Sequence, residues 1–130
     1  LASFSWLAFD RAGREDRPRD FTILFAKGMT MQSDAEEHLR AIQAAMLDNP
    51  DYTAVITGHT GTLGNAEVNL DLSEARADAV ASALREAGID PDRMTALGVG
   101  AAEPSDRRED EGQISYQKRL SRATVSLRVR

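Results

Sequence analysis

Apolar positions along this chain follow two rhythms, one of period two and one of period 3.6, and the chain switches between them several times. Phe21, Ile23 and Phe25 take alternate places in a β-rich run that Lys27-Gly28 closes, which predicts a core strand. Ser33-Asp34-Ala35-Glu36 has the form of a capping box, in which a serine oxygen and a glutamate carboxylate satisfy amides left free at a helix start. Ala35, Leu39, Ile42 and Met46 then share one helical face, so a helix is expected over residues 33–47. Asn49-Pro50-Asp51 ends it, and residues 52–57, centred on Val55 and Ile56, read as a buried strand. Residues 58–71, rich in glycine and asparagine, read as a loop before Ser73 caps a second helix with Ala79, Val80, Ala83, Leu84 and Ala87 inward. Gly88 is placed as its left-handed cap, Ile89 as the hydrophobic contact after the cap, and Pro91 bars continuation. Residues 94–99 make another short strand and residues 101–112 a charged loop. The last nine residues alternate Val125, Leu127 and Val129 with Ser126, Arg128 and Arg130, as a strand with one wet face does.

The first twenty residues differ in texture. Phe4, Trp6 and Ala8 give a loose alternation that predicts a short strand, and the charged stretch that follows, with Gly13 and Pro18, reads as a loop or linker. Residues 1–20 are therefore set apart as a strand and linker continuing from an upstream region, and residues 21–130 as the folded domain. The hydrophobic start at Leu1 is read as the cut edge of a longer protein whose targeting signal lies upstream.

Composition narrows the class. A chain of 130 residues is the size of one domain and buries about two-thirds of its unfolded surface. Hydrophobic residues at 42% and charged residues at 28% place it among folded globular chains. A net charge of −5 supplies no broad basic surface, so nucleic acid is not an expected partner. Cysteine is absent, which removes disulfides, thiolate metal sites and cysteine nucleophiles. No apolar run approaches the ~20 residues that span a bilayer, so no direct membrane insertion of this segment is expected.

Signals for catalysis are also missing. His38 and His59 fall on different elements without a second ligand at metal spacing. The stretch from Gly58 to Gly64 lacks the Gly-Lys-Ser/Thr ending of a phosphate loop and forms no G-x-G-x-x-G. Ser73, Ser82, Ser105, Ser115, Ser121 and Ser126 have no nucleophile-elbow frame. No enzyme activity, metal or cofactor is expected. The mixed charges of residues 106–111 read as a solvated insertion, and Met29 and Met31 as plugs at the edge of the core.

One segment carries a resemblance. Ile56-Thr57-Gly58-His59-Thr60, Leu63-Gly64, Asn69, and Leu72-Ser73 with Arg76-Ala77 and Val80 resemble the core signature of the OmpA C-terminal-like domain family. Gly88-Ile89, Arg93, Gly98-Val99-Gly100 and Glu103-Pro104 continue it in order, and Arg119 with residues 125–129 resemble its closing strand, so the likeness runs from Phe21 to the end. It implies an α+β domain, a two-layer sandwich of β-α-β-α-β order with its helices on one face of a mixed sheet of about four strands. It also implies a periplasmic, non-enzymatic module of a membrane-anchored envelope protein. Such a module binds peptidoglycan non-covalently through the diaminopimelate of the stem peptide, and it has envelope proteins as further possible partners. In the family an Asp after the loop threonine and an Arg early in the next helix hold the zwitterionic end of diaminopimelate, and Arg76 occupies the arginine position.

The chemistry of Arg76 can be argued separately. With Ser73 as cap, Arg76 falls in the first helical turn, where the positive end of the macrodipole disfavours a cation by up to about 1 kcal/mol. A ligand carboxylate would offset this, since guanidinium offers a planar fork of donors and the free amides of the helix start favour the same anion. The plain alternative is a surface ion pair with Glu67, Asp71 or Glu74.

Gly61 is the departure: it stands where the family has its Asp, so the carboxylate that meets the ligand ammonium is missing. Losing such a contact costs about tenfold to a hundredfold in affinity. Three readings stay open. Glu67 or Asp71 replaces the charge while Gly61 donates its backbone N–H, or the scaffold is degenerate and serves as a spacer or protein-contact module, or the ligand itself lacks the ammonium. The closing strand departs as well, with Arg122-Ala123-Thr124-Val125 where the family commonly has Asn-Arg-Arg-Val, although Arg119 and Arg122 keep a cationic wall. Thr60, Leu72 and Ser73 join Arg76 and Gly61 as pocket candidates. Asn69 is either a ligand contact or an Asx-type brace, and a strand-end histidine such as His59 is more often structural than ligating. Leu63 and Gly64 shape the loop.

Overall fold

The four strands and two helices expected within residues 21–130 all form, two of the strands from period-two alternation and both helices from the 3.6 rhythm. The computed structural model describes residues 19–130, so the strand and most of the linker expected upstream lie outside the described residues. The elements run β1 (Asp20–Lys27), β2 (Thr30–Met31), α1 (Ala35–Asp48), β3 (Tyr52–His59), α2 (Ala66–Glu86), β4 (Met94–Gly98), α3 (Gln113–Leu120) and β5 (Arg122–Val129), with a 3-10 turn at Pro91–Arg93. The sheet has the order β2-β1-β5-β3-β4. β5 is antiparallel to both β1 and β3, while β4 lies parallel to β3, which α2 makes possible by crossing over between them. This is the expected α+β two-layer architecture on a mixed sheet. A fifth, two-residue strand adds to the four expected, because Gly28 at φ +53 turns the chain back so that Thr30 and Met31 pair with β1.

One face of the sheet makes the core. Ile23, Phe25, Ala54, Ile56, Ala123, Val125 and Leu127 meet Ala35, Ile42 and Met46 of α1 and Ala77, Val80 and Leu84 of α2. Gly88 takes φ +102, and Ile89 N–H reaches back to Leu84 O at 3.0 Å, so the predicted helix stop is realised with Ile89 buried.

Four local expectations need correction. α1 begins at Ala35 with Asp34 as cap and no side-chain cap bond: Asp34 is already in the helical region, and Gln32 O takes the Ala35 N–H at 3.0 Å, so backbone does the work assigned to Ser33 and Glu36. α2 begins at Ala66, not after Ser73; Asn65 caps it, its side-chain oxygen accepting from Val68 N–H at 3.0 Å. Met31 packs against the core, whereas Met29 is 43% exposed and plugs nothing. Residues 113–120, which no apolar pattern marks, form α3.

Candidate functional site

Two paired glycines seat the helix that carries Arg76. Gly58 and Gly98 face each other across β3 and β4, and a Cβ added to either would overlap backbone of Ser73 or Glu74. Without side chains there, α2 lies directly on the sheet at Ser73–Glu74, closer than any larger residue permits. Ser73 is fully buried mid-helix; its Oγ donates to Leu70 O at 2.7 Å and accepts from Gly100 N–H at 2.8 Å, tying helix to loop. Leu72 is half-buried one residue earlier.

Arg76 follows one turn later on the same buried face, about three turns into α2. The helix-start argument for its charge therefore fails, since the macrodipole acts only in the first turn. The surface ion pair fails as well. Arg76 is 3% exposed, and no carboxylate among the described residues bonds it. Its Nη1 donates to His59 O at 2.8 Å, its Nε donates to Gly28 O at 2.9 Å, and its Cζ lies 5.3 Å from the Phe25 ring centre. Burial pushes its pKa down. Two neutral carbonyls and an aromatic face hold it in place without cancelling its charge. Among the described residues Nη2 has no hydrogen-bond partner, and it is not among the polar side-chain atoms there that are sealed from solvent without one, Asn49 Oδ1 and His59 Nδ1, so it keeps a solvent-facing edge.

The strand-end loop closes around this point. Thr60 is buried, its N–H donating to Gly100 O and its Oγ1 to Gly61 O, both at 2.9 Å. Gly61 does not take the left-handed backbone that would require glycine; Gly64 does, at φ +98. Asn69 lies on α2 and donates from Nδ2 to the exposed Leu63 O at 3.1 Å, so the brace is real but runs from helix to loop. Gln117 of α3 grips the same loop: Oε1 accepts from Thr62 N–H at 2.7 Å and Nε2 donates to Thr62 Oγ1 at 2.8 Å. The His59 ring points to the other face of the sheet, buried, with Nε2 3.4 Å from Thr124 Oγ1; burial, then repulsion by Arg122, lowers its pKa to about 4.

Arg119 and Arg122 do not join Arg76. Both line a separate cavity of about 400 Å³ together with Thr22, Leu24, Ser105 and Arg108. Arg119 is clamped by both carboxylate oxygens of Glu111, at 2.9 and 2.8 Å, and by Asp106 O. Arg122 donates to Leu120 O and Glu103 O. The reason is topological: Arg122 pairs with His59 and points away from the helix face on which α2 lies. Among the described residues no group of three or more His, Cys, Asp or Glu side chains is placed to hold a metal, and no helix is long and apolar enough to cross a membrane.

The family model described as OmpA matches residues 25–118. The chain belongs to the OmpA family. It is 30% identical over 104 residues to the peptidoglycan-associated lipoprotein of Legionella pneumophila, an alignment covering 79% of this chain and 59% of that protein's length. Among solved structures, the peptidoglycan-associated lipoprotein from Burkholderia pseudomallei superposes with a TM-score of 0.70 at 25% identity, covering 85% of this chain and 91% of that one. The cell wall anchor of the type VI secretion system from Pseudomonas aeruginosa gives 0.66 at 25% identity, with 85% and 81% covered. Within the OmpA-family frame, sequence reading missed Phe25 and Gly28 as the bed of Arg76, and Gln117 altogether. The Gly58 and Gly98 pair was the available sign that a helix crosses the strands closely.

Proposed function

We propose that this domain binds the stem peptide of peptidoglycan non-covalently, by docking a carboxylate of its diaminopimelate on Arg76, and so anchors an envelope protein to the cell wall on the periplasmic side. The observation that carries this reading is the buried guanidinium with no internal carboxylate and one unpartnered, solvent-facing nitrogen. A buried cation left uncompensated is costly, and an anion arriving from outside removes that cost while making charge-assisted bonds. Thr60, Gly61 and the His59 backbone border the point of arrival, with Leu72, Ser73 and Asn69 shaping α2 beneath it. The names of relatives agree with this reading, since two are peptidoglycan-associated lipoproteins and one is a cell wall anchor. The role is binding, not catalysis. Titration of the chain with a diaminopimelate-containing stem peptide is expected to saturate, and Arg76→Ala to abolish the response while the fold survives by circular dichroism. Absence of binding at millimolar peptide overturns the reading.

A second reading has its own support: the space that a side chain at position 61 would take is filled by Gln117. On that reading the scaffold has given up the wall and makes protein contacts in an envelope assembly. Stem-peptide binding that Arg76→Ala destroys rejects it.

A further inference from the structure

We infer that Gln117 is the residue that sets ligand specificity at the Arg76 site, and that the site takes a side-chain carboxylate without requiring an ammonium group beside it. This rests on the wall-binding reading and names the ligand class for it.

A Cβ built on Gly61 would overlap Gln117 Oε1, with Gln117 Cδ next at 3.3 Å. The Gly61 backbone is not left-handed, so its own conformation permits a side chain; the tip of Gln117 occupies that space and would have to swing out of its bonds to Thr62 to admit one. Gly61 and Gln117 are thus one unit, in which α3 delivers a side chain to the place that the loop leaves vacant. Both polar atoms of that side chain's terminal amide are held by Thr62, Oε1 accepting from the Thr62 N–H and Nε2 donating to Thr62 Oγ1. It is a neutral amide whose oxygen is already engaged, so it offers no charge to an ammonium.

No carboxylate among the described residues makes a hydrogen bond or ion pair with Arg76 or Gln117. Glu111, on the loop before α3, is bound by Arg119 through both oxygens. Glu67 and Asp71 lie exposed on α2. Arg76 is thus a fixed cation, and the place at position 61 holds a neutral amide where a zwitterion would need an anion. An arriving carboxylate gains its full interaction with Arg76. An ammonium on the same carbon gains nothing and is repelled by the guanidinium.

The test compares two peptides identical except at one residue. One carries meso-diaminopimelate. The other carries 2-aminopimelate, which keeps the side-chain carboxylate and lacks its ammonium. Calorimetric titration of the full 130-residue chain is expected to give dissociation constants for the two within about threefold of each other. Gln117→Glu is isosteric, preserves acceptance from Thr62 N–H and puts a carboxylate in the same space. It is expected to bind the diaminopimelate peptide about tenfold or more tightly than the aminopimelate peptide. The double variant Gly61→Asp/Gln117→Ala, with the clash removed, is expected to discriminate in the same direction and stands in if Gln117→Glu folds poorly. Wild-type preference of tenfold for diaminopimelate overturns the inference and leaves wall binding standing. Equal affinities in both variants overturn the role of Gln117. No binding of either peptide to the wild type overturns both readings.

Discussion

Arg76 is held by two hydrogen bonds and Arg119 by three, but they are held by different chemistry. Arg119, on the α3 side, meets a carboxylate through two parallel bonds, and its charge is cancelled within the molecule. Arg76, on the α2 side, meets only carbonyls and a ring. Arg93 marks the boundary of this contrast. It too donates to carbonyls, but Met46 O and Asn49 O lie at the C-terminal end of α1, where the helix dipole is negative and a cation is already welcome. Arg76 has no such end beneath it, being mid-helix. Fixing a cation in place and neutralising it are separate tasks, and of these three arginines Arg119 is the one with a carboxylate to do the second. Arg119 serves a loop, whereas Arg76 keeps a charge that no carboxylate among the described residues answers.

The contrast breaks most severely at the seat of α2. Gly58→Ala forces a methyl into the Ser73 carbonyl, a backbone atom that cannot swing aside. The expected cost is about 3 kcal/mol, read as a drop of roughly 10 °C in Tm. Gly112→Ala is the control: nothing lies within 4 Å of the added carbon and φ is −69, so the loss is confined to a favoured cap residue at the start of α3 and should stay below about 1 kcal/mol. A Gly58→Ala protein within about 0.5 kcal/mol of wild type would mean that α2 does not lie where the geometry puts it.

His59 joins the two regions, since its carbonyl serves Arg76 while its ring faces Arg122. The ring is held neutral, with its pKa lowered from 6.5 to about 4. In the unfolded chain it takes up a proton as pH falls through 6.5, and in the folded chain only near 4. The unfolded state therefore binds more protons in that window, and stability falls as pH drops from about 6.5 to 4, then levels off. About 2 kcal/mol is expected from this group. Urea midpoints between pH 7 and 4 check it against a His59→Phe variant, whose profile should be flatter there; parallel profiles would remove the ring from the account.

The legible part of this molecule was local. Ile89 after Gly88, the alternation of Ile23 and Phe25, and the Ile42 to Met46 stripe each follow from a few neighbouring residues, and the structure repeats them. The start of α2 was not legible because its first turns face solvent: Val68 and Leu70 are exposed, so no apolar stripe marks residues 66–72 and Asn65 was read as loop. α3 is hidden for the same reason, since Leu120 is its one buried residue. Arg76 was found through resemblance, yet the dipole argument for it was wrong, because that argument needed the false helix start. Gln117 could not be read at all. It meets Thr62 across 55 positions of chain, and no spacing rule reaches that far.

The mildest test asks whether the two regions are independent. The Arg119 guanidinium, and then the Arg108 backbone N–H, hold the Glu111 carboxyl down from 4.5 to about 2. A carboxyl with a depressed folded pKa contributes stability that is complete above about 4.5 and is lost as pH falls toward 2. Glu111→Gln should remove this acid step and cost the least of the three changes. Its effect should be local: amide exchange should quicken in residues 101–112, where Arg107 and Arg108 also lean on Glu111. Exchange of the Thr60 amide, bonded to Gly100 O beside Arg76, should not change. Equal loosening at Thr60 would mean that the internally neutralised arginine and the open one share a single cooperative unit, and that the charge left on Arg76 is felt across the whole sheet rather than at its own edge.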